Sequence, residues 1–127
     1  MPSDAELISM ALAAREGAYA PYSGIRVGAA LRARDGAVFT GANVENSSYG
    51  LTICAERVAA AKAVTAGHRD FAALAVAWNR EGFCRPCGAC RQVLIEFGPS
   101  MRLLMANARG EYEEERLEAL LPRSFGI

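Results

Sequence analysis

Apolar and polar positions follow two periods along this chain, and each stretch of constant period predicts one element. Leu7, Ile8, Ala11 and Leu12 recur at the spacing of one helix face. Ser3 with Glu6 three residues later reads as a capping box for that helix, and Gly17 or Pro21 ends it. Val27 to Arg34 and Ala37 to Thr40 read as strands around Asp35-Gly36, a two-residue hairpin signal. The stretch from Asn43 to Gly50 is too rich in Asn, Ser and Gly for a core strand and sits where a binding loop could. A second helix begins near Thr52, runs through Ala66 and stops at Gly67. Its alanines (Ala55, Ala59, Ala60, Ala61, Ala63) suit a helix approached closely on several sides. Phe71 to Trp78 is an apolar run of strand length. Cys87 to Phe97 is a third helix, opened near Pro86 and closed by Gly98-Pro99. Met101 to Ala106 is another strand and Asn107 to Gly110 a turn. Glu111 to Glu115 reads as a short strand, and Leu117 to Leu121 as a short helix ended by Pro122. Leaving that last helix aside, the order is α-β-β-α-β-α-β-β, a sheet covered by helices and α/β in class.

Composition narrows the reading. The 127 residues suffice for one domain with one core, spanning 1–127. With 52% hydrophobic and 22% charged residues, the chain should form a compact soluble globule. Lys plus Arg equals Asp plus Glu at 14 each, which argues against a surface that tracks a phosphate backbone. Early acidic residues, Asp4 and Glu6, and the lack of an apolar start leave no visible signal peptide. No apolar run approaches the length of a membrane span. Four cysteines in such a chain read better as metal ligands than as disulfides, and the expected compartment is the cytosol.

The chemistry is carried by two motifs. Cys54-Ala55-Glu56 stands thirty residues before Pro86-Cys87-Gly88-Ala89-Cys90. Three thiols can hold one zinc ion and leave the fourth tetrahedral position to water, the arrangement of a catalytic site. With a glutamate that is not a ligand, the layout matches the general signature of zinc-dependent base deaminases. Both motifs open helices, where unpaired N–H groups favour thiolate over thiol. Cys87 and Cys90 are three apart and share a helix face. Cys54 and Glu56 are two apart, so they meet at one site only if Cys54 precedes regular helical geometry. Arg57 then returns to the face of Cys54. Glu56 is placed to take a proton from water and deliver it elsewhere. Three thiolates and Zn²⁺ sum to −1, so a cation should compensate, and Arg57 with the helix ends can do so.

The fourth cysteine and the single histidine read as structural residues. Cys84 with Cys54, Cys87 and Cys90 would form a closed four-cysteine site, but Glu56 would then have no task. Cys84 reads better as a small apolar residue. His68 follows Gly67 and reads as a solvated helix C-cap.

Ala20-Pro21-Tyr22-Ser23, Val27-Gly28-Ala29-Ala30, Asn43-Val44-Glu45-Asn46, Cys54-Ala55-Glu56-Arg57 and Pro86-Cys87-Gly88-Ala89-Cys90-Arg91-Gln92 resemble the short, homotetrameric cytidine deaminases. The match runs from about Leu7 to Phe125. The zinc motifs are shared by the wider superfamily, whereas Asn43, Glu45 and Arg57 are more specific to enzymes of free nucleosides. The resemblance implies a three-layer sandwich with a mixed five-stranded sheet and one Zn²⁺ per chain. It implies hydrolytic deamination of cytidine and 2′-deoxycytidine, with Asn43 and Glu45 on the ribose hydroxyls. It also implies that Phe125 reaches a neighbouring subunit's pocket and that Ser47 to Tyr49 lie at that shared site. Many members carry Phe where this chain has Ile25, which offers apolar contact to the base. The segment Trp78 to Arg85 is unlike other members, and Arg85 replaces a small polar residue before Pro86.

The expected function is therefore a cytoplasmic deaminase of pyrimidine salvage, with Glu56 protonating N3 and then the leaving amino group. A deaminase of a related aminopyrimidine, such as a nucleoside antibiotic, is the nearest rival. A polynucleotide editor lacks its basic, aromatic surface here. A non-catalytic zinc-stabilised module would leave Glu56 unexplained.

Overall fold

In the computed structural model, which describes residues 1–127, five strands form one mixed sheet in the order β2-β1-β3-β4-β5. The strands are β1 (Val27–Ala33), β2 (Val38–Ala42), β3 (Phe71–Trp78), β4 (Arg102–Ala106) and β5 (Tyr112–Arg116). The helices are α1 (Asp4–Ala14), α2 (Ala55–Thr65), α3 (Gly88–Ile95) and α4 (Leu117–Leu120), with 3-10 turns at Arg15–Gly17 and Tyr49–Leu51. Only β3 and β4 are parallel, because α3 carries the chain back across the sheet between them. All other neighbouring strands are antiparallel.

Side-chain size separates the two faces. Leu74 and Val76 of β3, Ala29 and Leu31 of β1 and Leu103 of β4 pack with α2, α3 and α4. Ala73, Ala75, Ala77 and Ala30 point the other way, where Leu7, Ile8 and Ala11 of α1 cover them. Small residues under α1 let one short helix seal that face. The result is three layers, with the sheet in the middle, as the resemblance implies.

The Ser3–Glu6 capping box forms in both directions, at 3.2 Å each. Several boundaries move from their sequence-based positions. β2 ends at Ala42 rather than Thr40, since Gly41 and Ala42 continue the ladder against Ala29 and Gly28. α2 starts at Ala55, because Cys54 is extended. α3 stops at Ile95, where the Gly98 N–H turns back to the Leu94 carbonyl at 3.2 Å. The alanines of α2 do not bury all round: Ala55, Ala59, Ala60 and Ala63 face the core, and Ala61 is exposed. The Asn43–Gly50 loop is not free of pairing, since Val44 bridges both Tyr19 and Ile53.

Candidate active site

The starts of α2 and α3 converge at the end of the sheet where β1 begins and β3 finishes. Cys54 is the N-cap of α2 in extended conformation (φ −72°, ψ 152°), so it and Glu56 face one cleft despite being two apart. Cys87 is the extended N-cap of α3 (φ −69°, ψ 170°), and Cys90 follows in its first turn. The sulfurs of Cys54, Cys87 and Cys90 all lie within 4.8 Å of one another. Cys84 is buried nearby but outside this trio, its backbone N–H donating to the Ala106 carbonyl at 3.0 Å. Arg57 places Nη2 3.3 Å from the Cys54 sulfur, and its buried Nε has no hydrogen-bond partner.

Charge is arranged to match. Hydrogen bonding with Cys90, and then with Arg57, holds the Cys54 thiol down to about 5. The same pairing, with burial, pushes Cys90 up. Three converging sulfurs, one already favoured as thiolate and faced by a guanidinium, suit a borderline-soft cation such as zinc in tetrahedral coordination. Only 4% of Glu56 is exposed, and burial, then the nearby Cys54, pushes its carboxyl up to about 7. Such a group can exchange a proton near neutral pH, as a general acid–base requires.

The cleft of about 250 Å³ at this centre is lined by Ile25, Val27, Asn43, Glu45, Trp78 and Cys84 as well as Cys54, Glu56 and Cys87. Asn43 directly follows β2 and bridges the facing chain: Oδ1 accepts from the Val27 N–H at 2.8 Å and Nδ2 donates to the Ile25 carbonyl at 2.8 Å. One N–H and one lone pair of that amide remain. Glu45 Oε1 accepts from the Tyr22 and Ser23 N–H groups at 3.0 and 3.2 Å, and Oε2 from the Ser23 hydroxyl. The hydroxyl, ahead of the two amides, holds the Glu45 carboxyl below its usual range. Ser23 Oγ in turn accepts from the Ile25 N–H at 3.0 Å. Asn79 clamps the same segment, accepting from Arg26 N–H at 3.1 Å and donating to the Gly24 carbonyl at 3.0 Å. Ile25 is thus fixed from both sides. Ser23, Glu45 and Thr52 also line a second chamber of about 330 Å³ with Tyr22, Asn46 and Tyr49.

Phe125 is not brought to this cleft in its own chain. It is 73% exposed beside the end of α3, with its carbonyl held by Gln92 Nε2 at 3.1 Å. Arg85 turns its guanidinium to Glu113 of β5, at 2.5 Å. His68 caps the end of α2 as expected, its N–H donating to the Ala63 carbonyl at 2.9 Å, but its ring is half-buried rather than solvated. Its ring packs on Phe39 with centroids 5.1 Å apart, and Nδ1 lies 3.4 Å from Asp35 Oδ2. Trp78 was missed as a cleft residue although the strand alternation was an available signal, Ser23 lines the cleft from within the Ala20–Ser23 motif, and the clamp made by Asn79, outside the cleft lining, had no signal beyond residue type.

The family described as "Cytidine and deoxycytidylate deaminase zinc-binding region" matches residues 1–106. A cytidine deaminase of Halalkalibacterium halodurans is 50% identical over 120 residues, covering 94% of this chain and 91% of that protein. One from Sporosarcina psychrophila is 51% identical over 121 residues, covering 94% and 89%. The crystal structure of cytidine deaminase from Burkholderia pseudomallei superposes with a TM-score of 0.94 at 50% identity, covering 98% of this chain and all of the other.

Proposed function

This chain belongs to the cytidine deaminase family, and on that premise we propose how its own residues carry out the hydrolytic deamination of cytidine. The observation that carries the reading is the burial of Glu56 in one cleft with Cys54 and Cys87 and with Asn43 and Glu45. Cys54, Cys87 and Cys90 would hold one zinc, which when bound supplies a Lewis acid that makes water nucleophilic near neutral pH. Arg57, beside the Cys54 sulfur, offsets the negative charge of the thiolates and orients that ligand. Water adds at C4 of the pyrimidine and ammonia leaves. Glu56 moves the protons: it takes one from the attacking water, gives it to N3, and carries another to the departing amino nitrogen. Its carboxyl near 7 suits both directions of transfer.

Asn43 and Glu45 bind the ribose hydroxyls with the hydrogen-bonding capacity their backbone contacts leave free. Their positions are set before substrate arrives, so little ordering is required on binding. Ile25 gives apolar contact to the base. The same site serves 2′-deoxycytidine in pyrimidine salvage.

We further propose that residues 1–127 act as one deaminase domain in a cytoplasmic homotetramer. No helix is long and apolar enough to cross a membrane. All four cysteines are free, and ligand thiols of this kind persist in a reducing compartment. Tyr22, Tyr49, Leu51 and Ile53 form exposed apolar surface beside the cleft, and Phe125 is exposed elsewhere. Both features support a site completed by Phe125 of a neighbouring copy.

An absorbance assay on cytidine, deoxycytidine, cytosine and CMP, with zinc measured per chain, tests the function. The two nucleosides should react and the base and nucleotide should not. No turnover of either nucleoside by zinc-loaded protein would overturn the reading. Sedimentation should give a mass near four chains, and a fully active monomer would defeat the assembly.

A further inference from the structure

Trp78 is the only tryptophan in the chain and the last residue of β3. The strand alternation that turns Ala73, Ala75 and Ala77 toward α1 turns Leu74, Val76 and Trp78 toward α2 and α3. Leu74 and Val76 are fully covered by those helices. Trp78 lies one step further along, where the helix starts diverge around the cleft, and it is only half-buried. It stands opposite Val27 in the ladder, and both line the cleft that holds Glu56.

Trp78 is held once through its indole and once through its backbone. Its Nε1–H donates to the Gly82 carbonyl at 2.6 Å, and the Trp78 carbonyl accepts from Arg15 Nη1 at 2.7 Å. Trp78 is also the one aromatic residue among those lining this cleft, since position 25 carries Ile. A rigid aromatic surface, partly uncovered and adjoining a buried proton-transfer group, is suited to receive the flat ring of a base.

We propose that Trp78 contacts the substrate: its indole forms one wall of the slot that takes the pyrimidine ring. The proposal rests on the deaminase reading above. It adds an aromatic contact from the end of β3, in the segment where this chain departs from the family pattern. Were Trp78 only a core residue that happens to reach the surface, ligands in the cleft would leave its exposure unchanged.

Emission from a single tryptophan needs no assignment. Zinc-loaded wild-type protein is titrated with uridine, the reaction product, while acrylamide quenching of that emission is followed. Bound uridine should shield the indole, saturating at the concentration where uridine half-inhibits cytidine turnover. Trp78→Phe should keep the KM for cytidine within about threefold. Trp78→Ala should raise it roughly tenfold or more, as loss of one base–aromatic contact does, with kcat less affected and zinc per chain unchanged. Quenching indifferent to saturating uridine, in protein that deaminates cytidine, overturns the proposal without any variant. A Trp78→Ala KM within twofold of wild type also overturns it. Wild-type protein inactive on cytidine removes the functional premise instead, and this inference with it.

Discussion

Gly41→Ala tests whether direct backbone contact sets the start of α2, and with it Cys54 and Glu56. Gly41 lies opposite Ala29 in the ladder, on the face covered by α2. A Cβ there would sit 2.5 Å from the Ala55 carbonyl oxygen and 2.7 Å from the Ala59 nitrogen. Both are backbone atoms, so no rotamer change relieves the clash. Moving from 2.5 Å to an ordinary contact of 3.4 Å requires a shift of about 0.9 Å between β2 and the first turns of α2. Overpacking of this kind costs about 1–3 kcal/mol, roughly 4 °C of Tm per kcal/mol at this size. Cys54 and Glu56 would move with α2, while Cys87 and Cys90 stay with α3. A displacement near 1 Å at reacting groups costs up to about 10²-fold in rate.

The informative control lies on the other face. A Cβ on Gly28 would sit 1.9 Å from the Ala11 carbonyl oxygen and 2.5 Å from the Arg15 nitrogen, against α1 and the turn that follows it. That helix carries none of the thiols. Gly28→Ala should therefore lower Tm at least as much as Gly41→Ala, yet leave kcat per folded molecule closer to wild type. Gly41→Ala should lose kcat per folded molecule and lose zinc sooner in competition with a chelator. The assays are calorimetry, cytidine turnover corrected for folded fraction, and metal content after dialysis. Wild-type kcat and zinc retention in Gly41→Ala would refute the reasoning, as would equal kcat losses in the two variants.

Three further outcomes follow from the geometry. Glu56→Gln should keep zinc and fold but nearly abolish turnover, because the amide cannot carry the proton; near-normal rates in a stopped assay would remove the assigned role. Cys84→Ser should retain about one zinc per chain, since Cys84 lies outside the converging thiols and a catalytic site needs three protein ligands; metal loss matching that of Cys87→Ser would point to a closed four-cysteine site. Arg102 hydrogen-bonds Asp4 at the start of α1 and Glu114 of β5, holding both carboxyls below their usual range. Lowered carboxyls contribute stability that is present above their unfolded pKa values and lost as pH falls through the folded ones. Arg102→Met should then lower Tm at pH 7 by the equivalent of about 1 kcal/mol after solvent screening, and the gap from wild type should close between about pH 5 and pH 3; a gap independent of pH would show that packing, not charge, is lost.

Legibility in the sequence followed the range of the forces involved. β3 was read to the residue, since Phe71–Trp78 is bounded by polar neighbours and pairs on both sides. The zinc cluster was legible because cap geometry is local: the need for Cys54 to precede α2 follows from its distance to Glu56 alone, and the extended N-cap meets it. Arg57 reaching the Cys54 sulfur follows from the same turn. The end of β2 was misread because Gly41 is a poor strand former by itself. Its place in the ladder comes from α2, which leaves no room for a side chain there. The partial burial of the His68 ring was missed for a similar reason, since its partners Phe39 and Asp35 sit on and beside the β1–β2 hairpin.

The side of the cleft formed by Asn43 and Glu45 depends most on contacts distant in sequence. Asn43 and Glu45 were visible as residue types suited to hydroxyl groups, but their orientation is imposed by the loop from Tyr22 to Val27 across from them. That loop is itself held by Asn79, 53 residues beyond Arg26. Because β1 pairs with both β2 and β3, one loop entering β1 touches the end of β2 and the exit of β3 together. Asn43, Ile25 and Trp78 are therefore neighbours by strand order, which no local pattern reports. Asn79→Ala should in consequence loosen the loop that carries Ile25 and faces Asn43, raising the KM for cytidine while zinc per chain stays at the wild-type level; an unchanged KM would show that this clamp does not position the loop.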